Sequence, residues 1–205
     1  EGVLNGLHDV ATSFELSLQE LLSATELIIH GTTVATNTLL ERKGAKVGLV
    51  TTKGFRDVLE MREGLKEDRY NLNMKPVEPL VPRYLRVGIS ERVRSNGLVE
   101  TSLDDEALDK ALDYFRKQDV KALAVCFLFS YLNPAHEQRA AEQIRAKFPG
   151  MYTSLSYQIL PQIKEFDRVS TTVVNSYVGL NFGEYLHNLK VRFASYKQPH
   201  DIMIM

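Results

Sequence analysis

The 205 residues are 44% hydrophobic and 25% charged, which supplies a sizeable core and excludes a disordered chain. Lys and Arg number 25 against 26 Asp and Glu, a formal net charge of -1, so no global field gathers a polyanion or an anionic membrane, and nucleic acid is a poor partner. The longest apolar run, Ala122 to Phe129, is far short of the roughly 18 residues that span a bilayer, and the single Cys126 inside it has no second cysteine to pair with, which points to a reducing cytoplasm.

The chain opens at Glu1 inside a helical pattern of Val3, Leu4, Leu7 and Val10. Glu26-Leu-Ile-Ile-His30 reads as a short buried strand, Thr33 to Arg42 as a helix with Val34, Ala35, Leu39 and Leu40 inward, and Lys46 to Thr51 as a second strand, a compact βαβ unit. Gly54 to Met61 reads as another helix. From Arg62 to Pro82 periodicity is lost while Pro76, Pro79 and Pro82 accumulate, which describes an ordered excursion or lid, since Leu65, Tyr70, Leu72, Met74, Val77 and Leu80 remain for packing.

From Tyr84 to Val93 the pattern alternates, and Ser95-Asn-Gly97 is a hairpin signal leading to a short strand near Val99. Ser102 with Asp105 resembles a capping box before a helix whose inward face is Ala107, Leu108, Ala111, Leu112 and Phe115. Lys121 to Phe129, apolar on both sides, reads as a central parallel strand. Asn133-Pro134 starts a helix that ends before Pro149-Gly150, and Met151 to Ser156 is a further strand. Ile163, Phe166, Val169, Val173, Tyr177 and Leu180 recur every three or four residues, and the pattern persists to about Phe193 as one long helix. The final Asp201-Ile-Met-Ile-Met205 reads as an unfinished strand, so both ends look interior to a longer protein.

This alternation predicts an α/β fold with a parallel or mixed sheet flanked by helices. The divisions it suggests are 1–100, a βαβ part carrying the excursion at 62–82; 101–156, an αβαβ subdomain; and 157–205, the long helix with the terminal strand. Several chemistries lack their motif: there is no Gly-x-Gly-x-x-Gly after a strand, no Gly-Lys-Ser/Thr phosphate loop and no Gly-x-Ser-x-Gly elbow, and His136-Glu137 lacks the second histidine of a zinc helix. One cysteine and five scattered histidines exclude a thiolate zinc site, and no metal ligand set is expected.

Three constellations remain. His30-Gly31-Thr32-Thr33 stands where a strand ends and a helix begins, a junction whose free amides hold an anion or a polarised carbonyl, with Gly31 admitting a ligand closely; ordinary capping by Thr32 or Thr33 explains it equally well. Thr51-Thr-Lys-Gly54 is a second such junction, and if the two strands pair in parallel both threonine turns share one carboxyl edge. On the long helix, Glu165, Arg168, Thr172 and Asn175 fall on one face, with Thr171 beside them. A solvated face with one Glu-Arg pair is the competing reading, although Thr and Asn are poor choices for such a face. Arg62, Lys66, Arg69 and Tyr70 of the excursion could close over an anion or simply be solvated.

At these residues the sequence resembles the N-terminal region of the hydantoinase A and oxoprolinase family. The stretches are His30-Gly-Thr-Thr-Val-Ala-Thr-Asn-Thr-Leu-Leu-Glu41, Gly44-Ala-Lys-Val-Gly-Leu-Val-Thr-Thr-Lys-Gly-Phe-Arg-Asp-Val-Leu-Glu60, Glu78-Pro-Leu-Val-Pro-Arg83 and Leu160-Pro-Gln-Ile-Lys-Glu-Phe-Asp-Arg-Val-Ser-Thr-Thr-Val-Val-Asn175. The segment from Arg62 to Asn71 is similar to the branch of N-methylhydantoinase-type enzymes and acetone and acetophenone carboxylase subunits.

The resemblance implies an ATP-dependent hydrolase of a cyclic amide of hydantoin or 5-oxoproline type on an actin, Hsp70 and sugar-kinase kind of fold, lacking here its first strand hairpin and second lobe. The alternatives are the beta-type subunit of a ketone carboxylase and a noncatalytic nucleotide-sensing or assembly module. It further implies ATP with Mg2+, bound mainly outside these residues, a small-molecule substrate, an oligomer and work beside a hydantoinase B-type subunit. Family members begin with an Asp-x-Gly-Gly-Thr phosphate turn that this sequence does not contain, so the 205 residues alone are expected to be inactive. On this reading Gly31, Thr32, Thr33 and Asn37 border the phosphate or carbonyl together with His30, which donates to a developing oxyanion. Thr172 and Asn175 form an opposing wall with Arg168, a planar fork for phosphate oriented by Glu165.

Overall fold

The computed structural model describes residues 2–64, 68, 70–71, 73–75, 77–196 and 202–205; Leu65, Lys66, Arg69, Leu72 and Pro76 of the excursion lie outside them. In chain order the helices are α1 (Gly2–Ser13), α2 (Leu18–Ala24), α3 (Val34–Leu40), α4 (Val58–Met61), α5 (Asp105–Lys117), α6 (Ala135–Lys147), α7 (Ser156–Ile159) and α8 (Glu165–Ala194). The strands are β1 (Ile28–His30), β2 (Val47–Thr52), β3 (Arg86–Ile89), β4 (Arg92–Val93), β5 (Val99–Thr101), β6 (Ala122–Cys126), β7 (Tyr152–Leu155) and β8 (Ile202–Ile204). Contacts divide the chain into two compact units, 1–41 with 181–205, and 42–180. These boundaries differ from the sequence divisions at 100/101 and 156/157: the 101–156 block lies wholly inside the second unit.

The first unit pairs β1 with β8 in parallel, from Ile28 opposite Ile202 to His30 opposite Ile204. Its helix α2 begins with a full capping box, Ser17 accepting from Glu20 N–H while Glu20 accepts from Ser17 N–H, which satisfies two donors that a helix start leaves free. Leu18, Leu22, Leu189 and Phe193 are buried together, with Leu4, Leu7 and Ile28 packed against them. Helix α3 is shorter than the expected Thr33 to Arg42, because Arg42 adopts a left-handed φ of 55°.

The expected pairing of the first two strands does not occur. Strand β2 has β3 on one side and β6 on the other, so neither of its edges is open to β1, and β1 takes β8 instead.

The second unit is built on a four-stranded parallel sheet of order β3-β2-β6-β7. Every residue of β2 and β6 is buried, in keeping with unbroken apolar runs in the middle of a parallel sheet. Helix α5 turns Leu108, Ala111, Leu112 and Phe115 inward, four of the five residues expected on that face. Its cap is Asp104, whose carboxylate accepts from Ala107 N–H at 2.9 Å, rather than Ser102. Strands β4 and β5 form the hairpin signalled by Asn96-Gly97, with Gly97 at φ 81°. The helix expected from Gly54 shrinks to α4, since Gly54 itself sits at φ 93°. No described helix is long and apolar enough to cross a membrane.

Candidate functional site

In the second unit the chain leaves β2 through α4 toward β3 and leaves β6 through α6 toward β7, on opposite sides of the β2/β6 pair. Parallel sheets open a crevice beyond the carboxyl ends of two strands whose connections diverge in this way. Here it is lined by Thr51 and Phe55 from the β2 side, Cys126 and Leu128 from the β6 side, and Glu165 and Arg168 from α8.

Arg168 is 1% exposed. Its Nη1 donates to Gln162 O at 3.0 Å and its Nη2 to Phe127 O at 3.1 Å, the guanidinium lies over the Tyr131 ring at 5.3 Å from its centroid, and among the described residues Nε has no hydrogen-bond partner. Thr172, fully buried, donates to Arg168 O at 2.6 Å, and Asn175 Nδ2 donates to Ser154 Oγ at 2.9 Å and Tyr152 OH at 3.3 Å. Most of the polar stripe on the long helix is therefore internal, while Thr171 beside it is exposed. Among the described residues no ion pair joins Glu165 to Arg168, because two main-chain carbonyls and an aromatic face hold the guanidinium instead.

Sequence reasoning passed over the strongest polar cluster near this edge. Glu137 is 0% exposed; its Oε1 accepts from Phe127 N–H at 2.9 Å and Ser156 Oγ at 2.6 Å, and its Oε2 from Tyr157 N–H at 3.1 Å. Burial pushes its carboxyl above the ordinary range, against the pull of those donors. Glu91, also buried, joins His136 Nδ1 at 2.7 Å and the Thr52 hydroxyl, and Thr52 Oγ1 accepts from Leu128 N–H at 3.0 Å. Glu137, Thr52 and Arg168 thus bind the main chain just after β6, where Phe129 takes a φ of 54°, a conformation that persists only when surroundings over-determine it. Cys126 is inert within this setting: burial first, and the nearby Glu137 charge second, push its thiol up to about 12. A signal for the cluster existed, since Ala140 and Ile144 head inward from α6 and a four-residue step back along the same face reaches His136.

In the first unit, His30 ends β1 and its Nε2 meets Tyr185 OH at 2.5 Å. Two amides of the junction are occupied: Thr32 N–H donates to Met205 O at 3.3 Å, and Val34 N–H to Thr32 Oγ1 at 3.3 Å. Thr32 thus caps locally, whereas Thr33 makes no side-chain cap bond. Space is open at Gly31, where an added Cβ would meet nothing within 4 Å. Asn37 is exposed on α3. In the excursion, Arg62 and Tyr70 are exposed, while Lys66 and Arg69 lie outside the described residues. Among the described residues no three His, Cys, Asp or Glu side chains are placed to hold a metal ion.

The family model described as the hydantoinase/oxoprolinase N-terminal region matches residues 1–148. The chain is 42% identical to caprolactamase subunit alpha of Pseudomonas jessenii over 193 residues, which is 93% of this chain and 28% of that protein. It is 33% identical to the acetophenone carboxylase gamma subunit of Aromatoleum aromaticum over 86% of this chain and 26% of that one. The crystal structure of the ATP-dependent caprolactamase from Pseudomonas jessenii superposes with a TM-score of 0.92 at 40% identity, covering 98% of this chain and 30% of the other. The chain therefore spans between a quarter and a third of the length of these relatives, each of them either a named subunit or an ATP-dependent enzyme. On the strength of the family match and these identities, the chain belongs to the hydantoinase/oxoprolinase family.

Proposed function

We propose that this chain supplies the N-terminal region of an ATP-dependent enzyme that opens a cyclic amide. The observation that carries the reading is the likeness to the ATP-dependent caprolactamase over 98% of the chain. A cyclic amide carbonyl is a poor electrophile because the nitrogen lone pair is delocalised into it. Bound ATP supplies the phosphoryl group that activates its oxygen. The residues assigned to this task in the first unit are His30, as donor to the developing oxyanion, and Gly31, Thr32, Thr33 and Asn37 around the phosphate or carbonyl. Openness at Gly31 and the uncapped Thr33 support that placement.

In the second unit Arg168 is assigned to an anionic group in the crevice, through the Nε–H that has no hydrogen-bond partner among the described residues. Glu165 shares the crevice wall, and Thr172 and Asn175 hold α8 in place from inside. No step is assigned to a metal held by these residues. The relatives' names support a subunit within a larger assembly, with a B-type subunit as the proposed partner.

A second reading, the subunit of a ketone carboxylase, is favoured by the 33% identity to the acetophenone carboxylase gamma subunit. Substrate-dependent ADP release by the full-length parent protein separates the readings. Turnover with a lactam, hydantoin or 5-oxoproline supports the first, bicarbonate-dependent turnover with a ketone supports the second, and no turnover with either leaves a noncatalytic nucleotide-sensing or assembly module.

A further inference from the structure

Within the first unit His30 is held by an aromatic partner with a hydroxyl. Tyr185 OH lies 2.5 Å from His30 Nε2, and the rings meet at 5.9 Å between centroids, tilted by 36°. Phe182, one turn earlier on α8, stacks on Tyr185 at 6.5 Å and 26°. The tyrosine ring is thus fixed between two neighbours. His30 and Tyr185 are both half-buried, and among the described residues His30 Nδ1 has no hydrogen-bond partner.

The contact has two possible polarities with opposite chemical consequences. If Nε2–H donates to the phenol oxygen, Nδ1 is left as a bare acceptor. If the phenol O–H donates to Nε2, the ring's proton stands on Nδ1, and His30 presents a donor. Acidity decides between them: a phenol is the better acid and an unprotonated imidazole nitrogen the better base, so O–H···N is the stronger arrangement of this close contact.

We propose that Tyr185 is a positioning residue for His30, fixing its neutral ring as the Nδ1–H tautomer so that Nδ1 faces its ligand as a hydrogen-bond donor. The use of that donor toward a developing oxyanion rests on the function proposed above; the tautomer itself does not. Conformational freedom of the ring is removed by the same contact, so the donor needs no reorganisation when charge appears on the substrate oxygen.

Long-range nitrogen-15 correlation spectra of the 205-residue chain at about pH 8.5, two units above the ordinary imidazole value, read the tautomer directly, with His30→Gln assigning the signals. A protonated Nδ1 in the unmodified chain, moving toward protonated Nε2 in Tyr185→Phe, is the expected result. Protonated Nε2 in the unmodified chain overturns the proposal without recourse to any variant, and a tautomer unchanged by Tyr185→Phe overturns it too. In the full-length parent, Tyr185→Phe is expected to lower kcat at least about 10-fold with KM altered less than twofold. If the tautomer shifts and kcat does not, Tyr185 still positions His30, and it is the catalytic role given to His30 that fails.

Discussion

Glu137 and Arg168 hold opposite sides of one residue: Glu137 Oε1 accepts the Phe127 N–H at 2.9 Å while Arg168 Nη2 donates to the Phe127 carbonyl at 3.1 Å. Two buried side chains of opposite formal charge, from α6 and α8, thus meet through a peptide segment rather than directly. Replacing Arg168 with Met removes two charge-assisted bonds, each worth about 1.5 to 3 kcal/mol, and returns some apolar packing. Urea unfolding of Arg168→Met should show a loss of about 3 kcal/mol. A solvated arginine would give a change within about 0.5 kcal/mol, so a result of that size would remove Arg168 from the interior network.

Titration of Glu137 gives a signed pH dependence. Burial raises its folded carboxyl above the ordinary value of 4.5, so above that pH the folded chain binds more protons than the unfolded one, and this residue's contribution to stability falls as pH rises. Glu137→Gln does not titrate. The stability difference between the two proteins should therefore move in favour of the Gln variant between pH 4.5 and pH 8, and a difference independent of pH would show that the fold does not raise the Glu137 carboxyl.

Neighbouring threonines on α8 show how far a sequence can be read here. Spacing placed Glu165, Arg168, Thr172 and Asn175 on one face, and the three of them after Glu165 do hydrogen-bond within the protein. Whether that face met solvent or protein depended on β6 and β7, which come from a distant part of the chain. Thr172 is buried and bonded to Arg168 O, whereas Thr171 is exposed. Thr172→Val should cost about 1 kcal/mol and Thr171→Val less than about 0.5 kcal/mol in the same unfolding measurement; equal effects would contradict the burial of the stripe.

The sheet was legible in its core and obscure at its margin. An unbroken apolar run identified β6, the βαβ alternation identified β2, and the same alternation implied a mostly parallel sheet. The three-residue β1 carries too little pattern to choose a neighbour, and its pairing with β8 closes a span of more than 170 residues that no local signal encodes. Gly44 is similar. An added Cβ there would collide with the Tyr177 ring, which is 7% exposed and whose carbonyl accepts from Ala45 N–H at 2.9 Å. Gly44→Ala should cost roughly 1 to 3 kcal/mol by overpacking, and a neutral variant would mean that Tyr177 can move aside freely.

Cys126 offers a probe of the same interior. With its thiol pushed up to about 12 and its side chain buried, almost none of it is thiolate at pH 8, and reagents must await an opening of the fold. Alkylation in native buffer should be slower by orders of magnitude than in denaturant, and should accelerate in Arg168→Met about tenfold for every 1.4 kcal/mol of stability lost. Rapid labelling of the native chain would place Cys126 at an accessible surface.

Nucleotide affinity of these 205 residues should be slight. Of the amides at the His30 to Val34 junction, Thr32 N–H is engaged by Met205 O and Val34 N–H by Thr32 Oγ1, and α3 behind them has only seven residues. An exposed helix terminus contributes about 0.3 to 1 kcal/mol toward a charge, against roughly 8 kcal/mol for micromolar binding. Openness at Gly31 admits a phosphate without supplying enough donors to hold it, and Arg168 Nε is a single N–H on a guanidinium whose other groups are engaged. Titrating ATP with Mg2+ into the purified chain in a calorimeter should therefore yield no saturable heat below about 1 mM. A micromolar dissociation constant, abolished by Gly31→Val, would mean that the junction itself forms the nucleotide site.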